Sequence, residues 1–205
     1  DARIAGIPVI EIWDRPNHAT DTDGFAQIGF DHLEVGRTMA RHLLDQGHTA
    51  LAYVDSGVPE DFRAHERGQG FIAEAAAAGA TVKVLRATVG DTFDAGRRAV
   101  IRLTPTRHRL ITAIAFANDQ LACGSLIAVQ ANGIQVPNQL ALLGFGDFPI
   151  GRQLRPGLST VRPPRAEIGQ AAATVVLESI SAGTEAVGRV MRCKLIGRGS
   201  TLSER

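Results

Sequence analysis

Two cysteines in 205 residues, Cys123 and Cys193, are too few for a disulfide scaffold and too far apart to form a zinc ligand pair, which points to a reducing compartment, the cytoplasm. No stretch approaches the ~18 consecutive apolar residues of a bilayer span, so no membrane partner is expected. The opening Asp1-Ala2-Arg3-Ile4 lacks the basic, apolar and small-residue sections of a signal peptide. Neither sign of charge prevails. Twenty-two basic side chains against 21 acidic ones leave +1, far from the basic excess that tracks a phosphate backbone. Any nucleic-acid contact is therefore expected outside these residues.

Catalytic and cofactor patterns are missing too. There is no Walker sequence and no G-x-S-x-G elbow. The histidines (His18, His32, His42, His48, His65, His108) show neither H-x-x-x-H nor H-E-x-x-H spacing, so no metal is expected. Gly68-Gln69-Gly70-Phe71-Ile72-Ala73 fits G-x-G-x-x-A but lies well beyond the strand it should turn from, and Asp91 is in a loop instead of at a strand end. Asp21 and Asp23 read as a charged turn rather than an acid/base couple. These absences favour a binding protein over an enzyme, with no cofactor.

What is present is the composition of a soluble globular chain, 44% hydrophobic and 21% charged, whose apolar pattern alternates strands with helices. Strands are predicted at Pro8 to Trp13, Ala50 to Val54, Thr81 to Leu85, Ile111 to Phe116, Leu140 to Phe145, Leu158 to Val161 and Val190 to Ile196. Helices are predicted from Asp31 to Gly47, Arg63 to Gly79, Asp94 to Leu103, Gln120 to Ala131 and Arg165 to Ala182, the last with a buried stripe of Ile168, Ala172, Val175, Val176 and Ile180. Short connections between alternating elements give a parallel sheet covered by helices on both faces, the doubly wound α/β class. Ligands in that class bind beyond the carboxyl ends of the strands.

Three segments converge on one family. Asn118-Asp119-Gln120-Leu121-Ala122 with Gly124, Asn132-Gly133-Ile134-Gln135-Val136-Pro137, and Leu140-Ala141-Leu142-Leu143-Gly144-Phe145 together resemble the core signature of the LacI/GalR family of bacterial repressors. Gln46-Gly47-His48, Arg67 with Gly70-Phe71, and Pro156 to Val161 fall where that family has similar motifs. Ile7 to Asp14, Ile28-Gly29-Phe30-Asp31 and Thr92 to Gly96 look most like the gluconate-operon type. The resemblance implies a periplasmic-binding-protein-like fold of two Rossmann-like subdomains that close on a small effector. It divides the chain into residues 1–27, a remnant of an incomplete N-terminal subdomain; 28–161, the C-terminal subdomain; 162–188, a returning helix of the first; and 189–205, final strands of the second. The family's DNA-binding helix-turn-helix has no counterpart here, so the chain is expected to be the C-terminal part of something longer.

The resemblance also nominates residues. Arg67 matches the family's effector arginine, whose fixed fork of donors suits a carboxylate or vicinal hydroxyls; the alternative is a surface arginine. Asn118 matches a post-strand amide that can serve effector hydroxyls, cap a helix, or both. Asp14 is a sugar-binding carboxylate or a turn residue, and Arg63 and Phe93 are weaker effector contacts. Asp147 stands one place beyond the family's usual sugar-binding aspartate, where this chain has Gly146, a departure that favours a sugar acid unless Asp147 swings in. Cys123 and Leu154 lie at positions similar to the family's homodimer contacts, although Cys123 also suits a core.

The resulting expectation is the effector-binding and dimerisation region of a LacI-type regulator that senses a gluconate-like sugar acid and acts on operator DNA through the absent head, by a change in subdomain angle. The main alternative is the periplasmic sugar-binding protein of an ABC transporter, whose leader would have been removed. An enzyme on this fold ranks third.

Overall fold

The computed structural model describes residues 7–16, 25–88, 90–104 and 110–202. The Asp21 and Asp23 pair, His18, His108 and the first six residues lie outside the described set. In chain order the elements are β1 (Ile10–Asp14), β2 (Ala26–Phe30), α1 (His32–Asp45), β3 (Ala50–Asp55), α2 (Phe62–Ala77), β4 (Thr81–Arg86), α3 (Thr92–Leu103), β5 (Ala113–Phe116), α4 (Asp119–Ala131), β6 (Ala141–Phe145), α5 (Pro149–Gln153), β7 (Ser159–Arg162), α6 (Arg165–Ala182), β8 (Arg189–Val190) and β9 (Lys194–Ile196). They form two units. One comprises Asp1–Asp31 and Pro163–Lys194, the other His32–Arg162 and Leu195–Arg205.

The larger unit is built on a six-stranded sheet in the order β4-β3-β5-β6-β7-β9, in which β4, β3, β5, β6 and β7 run parallel to one another. Strand β5 at its centre is wholly buried, which is why Ala113 to Phe116 reads as a continuous apolar run without alternation. From β3 the chain crosses outward to β4, then returns past β3 to β5 and continues to β6 and β7. Right-handed crossovers in opposite directions place α2, with α1 packed on it, over one face and α3 and α4 over the other. The reversal leaves a crevice outside the carboxyl ends of β3 and β5, the topological switch point.

Glycines let the helices of each pair touch. A Cβ on Gly36 of α1 would collide with the carbonyl of Arg67, and one on Gly70 of α2 with the carbonyl of Leu33. The G-x-G-x-x-A stretch is thus a helix crossing inside α2, not a phosphate loop. Gly47 and Gly79 end α1 and α2 with φ of +85° and +74°, the left-handed turn that a helix terminus asks of glycine.

The smaller unit holds a three-stranded sheet in the order β1-β2-β8, parallel throughout, with α6 packed against β1 and β2. Three expectations need correction here. Ala26–Phe30 is a strand paired residue for residue with Ile10–Asp14, so the unit boundary falls after Asp31 and not before Ile28. The predicted strand Val190 to Ile196 is two short ones: Arg189–Val190 extends the smaller sheet and Lys194–Ile196 the larger, because the chain passes between units there. On α6, Ile168 and Val175 are buried but Ile180 is 62% exposed; the stripe closes on Ser179, whose hydroxyl donates to the carbonyl of Thr184.

Candidate functional site

The switch point of the larger unit is occupied by Arg67. Helix α2 starts at Asp61, whose carboxylate accepts from the backbone N–H of Ala64 at 3.0 Å, and the Tyr53 hydroxyl of β3 donates to the carbonyl of Ala64 at 2.8 Å. Gly68 lies against the Tyr53 ring. With its start fixed in this way, α2 turns Arg67 inward, and the residue is only 5% exposed.

Its guanidinium is held on three sides. Nη1 donates to Nδ1 of His32 at 2.9 Å, Nη2 donates to the carbonyl of Ala117 just past β5 at 2.9 Å, and Cζ lies 4.2 Å from the ring centroid of Phe145 at the end of β6. A guanidinium has no lone pair to offer, so Nδ1 of His32 is the acceptor in this pair. The His32 ring is 2% exposed and packs edge-on against Phe145, with centroids 6.4 Å apart. All of these partners are neutral or apolar. The Nε of Arg67 is the one buried side-chain nitrogen or oxygen without a hydrogen-bond partner among the described residues.

Asn118 follows Ala117 and is therefore brought to the same strand end as Arg67. Its Oδ1 caps α4 by accepting from the N–H of Leu121 at 3.0 Å, so the capping role is realised. Next to it, Asp119 is fully buried and accepts from the Thr160 hydroxyl at 2.6 Å and the N–H of Phe148 at 2.7 Å. Burial pushes the Asp119 carboxyl above its ordinary range, and the two hydrogen bonds oppose that.

The other nominated residues are placed differently. Arg63 is half-buried with its guanidinium 5.0 Å over the ring of its neighbour Phe62, and Phe93 is half-buried in the first turn of α3. Asp14 belongs to the smaller unit, buried at the carboxyl end of β1. Asp147 does not swing toward Arg67. Its side chain is 1% exposed and takes Arg152 at 2.7 Å, Arg162 at 2.5 Å and Arg198 at 2.6 Å. Burial alone would raise its carboxyl, but hydrogen bonds from Arg152, Arg198 and Arg162 outweigh that and hold it at about 2. Cys123 is wholly buried in the chain's own core, which leaves no surface for a dimer contact, whereas Leu154 at the end of α5 is half-buried.

A concavity of about 270 Å³ opens at the carboxyl ends of β3 and β4, lined by Asp55, Asp61, His65 and Arg86 among others and not by Arg67. His65 Nδ1 lies 3.8 Å from Asp55 Oδ2. Among the described residues, no three His, Cys, Asp or Glu side chains are grouped to hold a metal ion, and no helix is long and apolar enough to cross a membrane.

Residue-by-residue reading missed His32, Phe145 and the carbonyl of Ala117 as partners of Arg67. Phe145 closes the Leu140 to Phe145 segment of the family signature. Nothing in the sequence marks His32, whose partner lies 35 residues away.

Comparison with known proteins adds lineage. Residues 40–201 match a periplasmic binding protein-like domain. The regulator GntR of Pseudomonas aeruginosa is 33% identical over 179 residues, covering 86% of this chain and 50% of that protein. The repressor CytR of Escherichia coli is 31% identical over 176 residues, covering 85% and 51%. The chain thus spans about half the length of the curated relatives it matches. Among solved structures, a transcription regulator GntR from Chromobacterium violaceum has a TM-score of 0.84 at 28% identity, covering 98% of this chain and 72% of that one. A regulatory protein of the LacI family from Chloroflexus aggregans has 0.83 at 29%, covering 97% and 70%.

Proposed function

Because the chain belongs to the LacI/GalR family, in its periplasmic-binding-protein-like domain, we propose that it is the effector-binding and dimerisation region of a cytoplasmic transcriptional regulator whose effector is a sugar acid such as gluconate. Operator DNA is contacted through a helix-turn-helix outside these residues, and effector binding changes that contact. No catalysis is assigned to the site.

One observation carries the choice of an acid over a neutral sugar. Arg67 is 5% exposed and its contacts include an imidazole nitrogen, a backbone carbonyl and an aromatic face, while no carboxylate forms an ion pair with it among the described residues. Removing a cation from water costs several kcal/mol, and a cation–π contact returns only about 2 kcal/mol of it. A carboxylate presented by a ligand to the guanidinium completes the balance. The Asn118 amide, one residue beyond Ala117, is at hand for an adjacent hydroxyl. The likeness of Ile7 to Asp14 and Ile28 to Asp31 to gluconate-operon repressors favours the same ligand class. Leu154 is proposed for the dimer contact.

Calorimetry of the intact protein tests this. Gluconate should bind at least about tenfold more tightly than glucose, and Arg67→Met should abolish that preference while the variant still melts cooperatively. A neutral hexose that outcompetes every sugar acid refutes the assignment. The transporter reading keeps the same cleft but predicts an export leader upstream; the relatives named above are regulators, which favours the first reading.

A further inference from the structure

Arg67 is steered by α1 through residues one turn apart. Gly36 admits its backbone carbonyl, and His32, four residues earlier and on the same helix face, receives Nη1 at 2.9 Å. Any buried donor needs an acceptor, and three kinds are open to a protein at that place: a carboxylate, an amide or carbonyl oxygen, and a neutral imidazole. A carboxylate would satisfy Nη1 and cancel the charge of the guanidinium together. The imidazole satisfies it and cancels nothing. Its ring is also fixed, 2% exposed and edge-on to the same Phe145 ring over which Arg67 lies. Orientation and charge are thus decoupled: the fork is aimed, yet its full positive charge is left for whatever enters.

We infer that His32 is the specificity-determining residue of this site, a neutral acceptor that positions Arg67 while leaving its charge uncompensated, so that the site selects an anionic ligand over its neutral counterpart. This rests on the proposal that Arg67 meets the effector. His32 itself is assigned no contact with the ligand; it acts through the arginine.

The discriminating comparison is His32→Asn against His32→Asp in the intact protein. The two replacements are nearly the same size, and both set an oxygen near the position of Nδ1, but only the second brings a charge. With gluconate and glucose as probes in calorimetry, His32→Asn should hold gluconate affinity within about threefold, whereas His32→Asp should weaken it at least about 30-fold with little effect on glucose. The melting temperature without ligand should move the opposite way, His32→Asp above His32→Asn, because the new carboxylate compensates the buried cation. A residue needed only for packing would not give opposite signs. Should His32→Asp fail to melt cooperatively, His32→Gln against His32→Glu makes the same comparison one methylene further out. If the wild type binds gluconate and both replacements bind it equally well, the inference falls and the effector assignment stands. If the wild type binds no gluconate, both fall together.

Discussion

The carbonyl oxygen of Arg67 lies over Gly36 where a side chain would stand, so the residue that fills the candidate site is backed, atom against atom, by the neighbouring helix. Gly36→Ala must push α2 away from α1. The expected cost is about 1 to 3 kcal/mol of stability. Gluconate affinity should fall further than the stability loss alone explains, since Arg67 moves with its backbone. Denaturant unfolding alongside a gluconate titration checks both.

Gly169 makes the contrast. It stands inside α6 with nothing within 4 Å of the place a Cβ would take. Gly169→Ala should therefore stabilise by about 1 kcal/mol, read as a higher midpoint in urea at an unchanged slope.

Asp147 predicts an acid-side transition. Its carboxyl is lowered from 3.8 to about 2 in the folded chain, so folding strengthens as the group ionises. The contribution, about 2 kcal/mol, is complete above roughly pH 5 and is lost as pH falls from about 4 through 2. Asp147→Asn should cost a similar amount at pH 7. Wild type and variant should converge in stability near pH 2, measured by denaturant titration at pH 7, 3.5 and 2.5.

Cys123 should be chemically silent. Burial, reinforced by the charge of Asp119, pushes its thiol to about 12, and it is 0% exposed. A thiol reagent at pH 8 should label one equivalent per native chain, at half-buried Cys193, and two after unfolding. Two equivalents on the native protein would contradict the packing of α4.

The larger unit was readable because its strands are short apolar runs bounded by turn residues and its helices have a regular stripe and glycine stops. Strand β2 was not. Its sequence, Ala-Gln-Ile-Gly-Phe, breaks the apolar run with a glutamine that is 2% exposed and a glycine. Both have spatial reasons: Gln27 donates to Glu11 of β1 at 2.9 Å, and the backbone at Trp13 and Asp14 leaves no room for a Cβ on Gly29. Arg67 is nominated because its position carries a family motif. Its neutral surroundings were invisible because His32, Ala117 and Phe145 come from three separated elements. The ion pairs of Asp147 are hidden for the same reason: the three arginines that claim it, Arg152, Arg162 and Arg198, are near it only in space.

The carboxylate of Asp147 also acts as a buckle. Arg162 is the last residue of the larger unit before the chain leaves it, and Arg198 comes soon after the chain returns. Around them, Ser159 N–H donates to Ser200 Oγ at 2.8 Å, Ser200 Oγ donates to the carbonyl of Leu142 at 2.6 Å, and His42 Nε2 meets Thr201 Oγ1 at 2.7 Å. The residues between, 35 of them, form a loop closed at its neck. Closing a loop of that length costs about 3 kcal/mol of chain entropy beyond a fixed term, growing by only about 0.6 for each doubling. The larger unit should therefore tolerate insertions or exchanges in the excursion with little loss of its own stability, so long as the neck is intact.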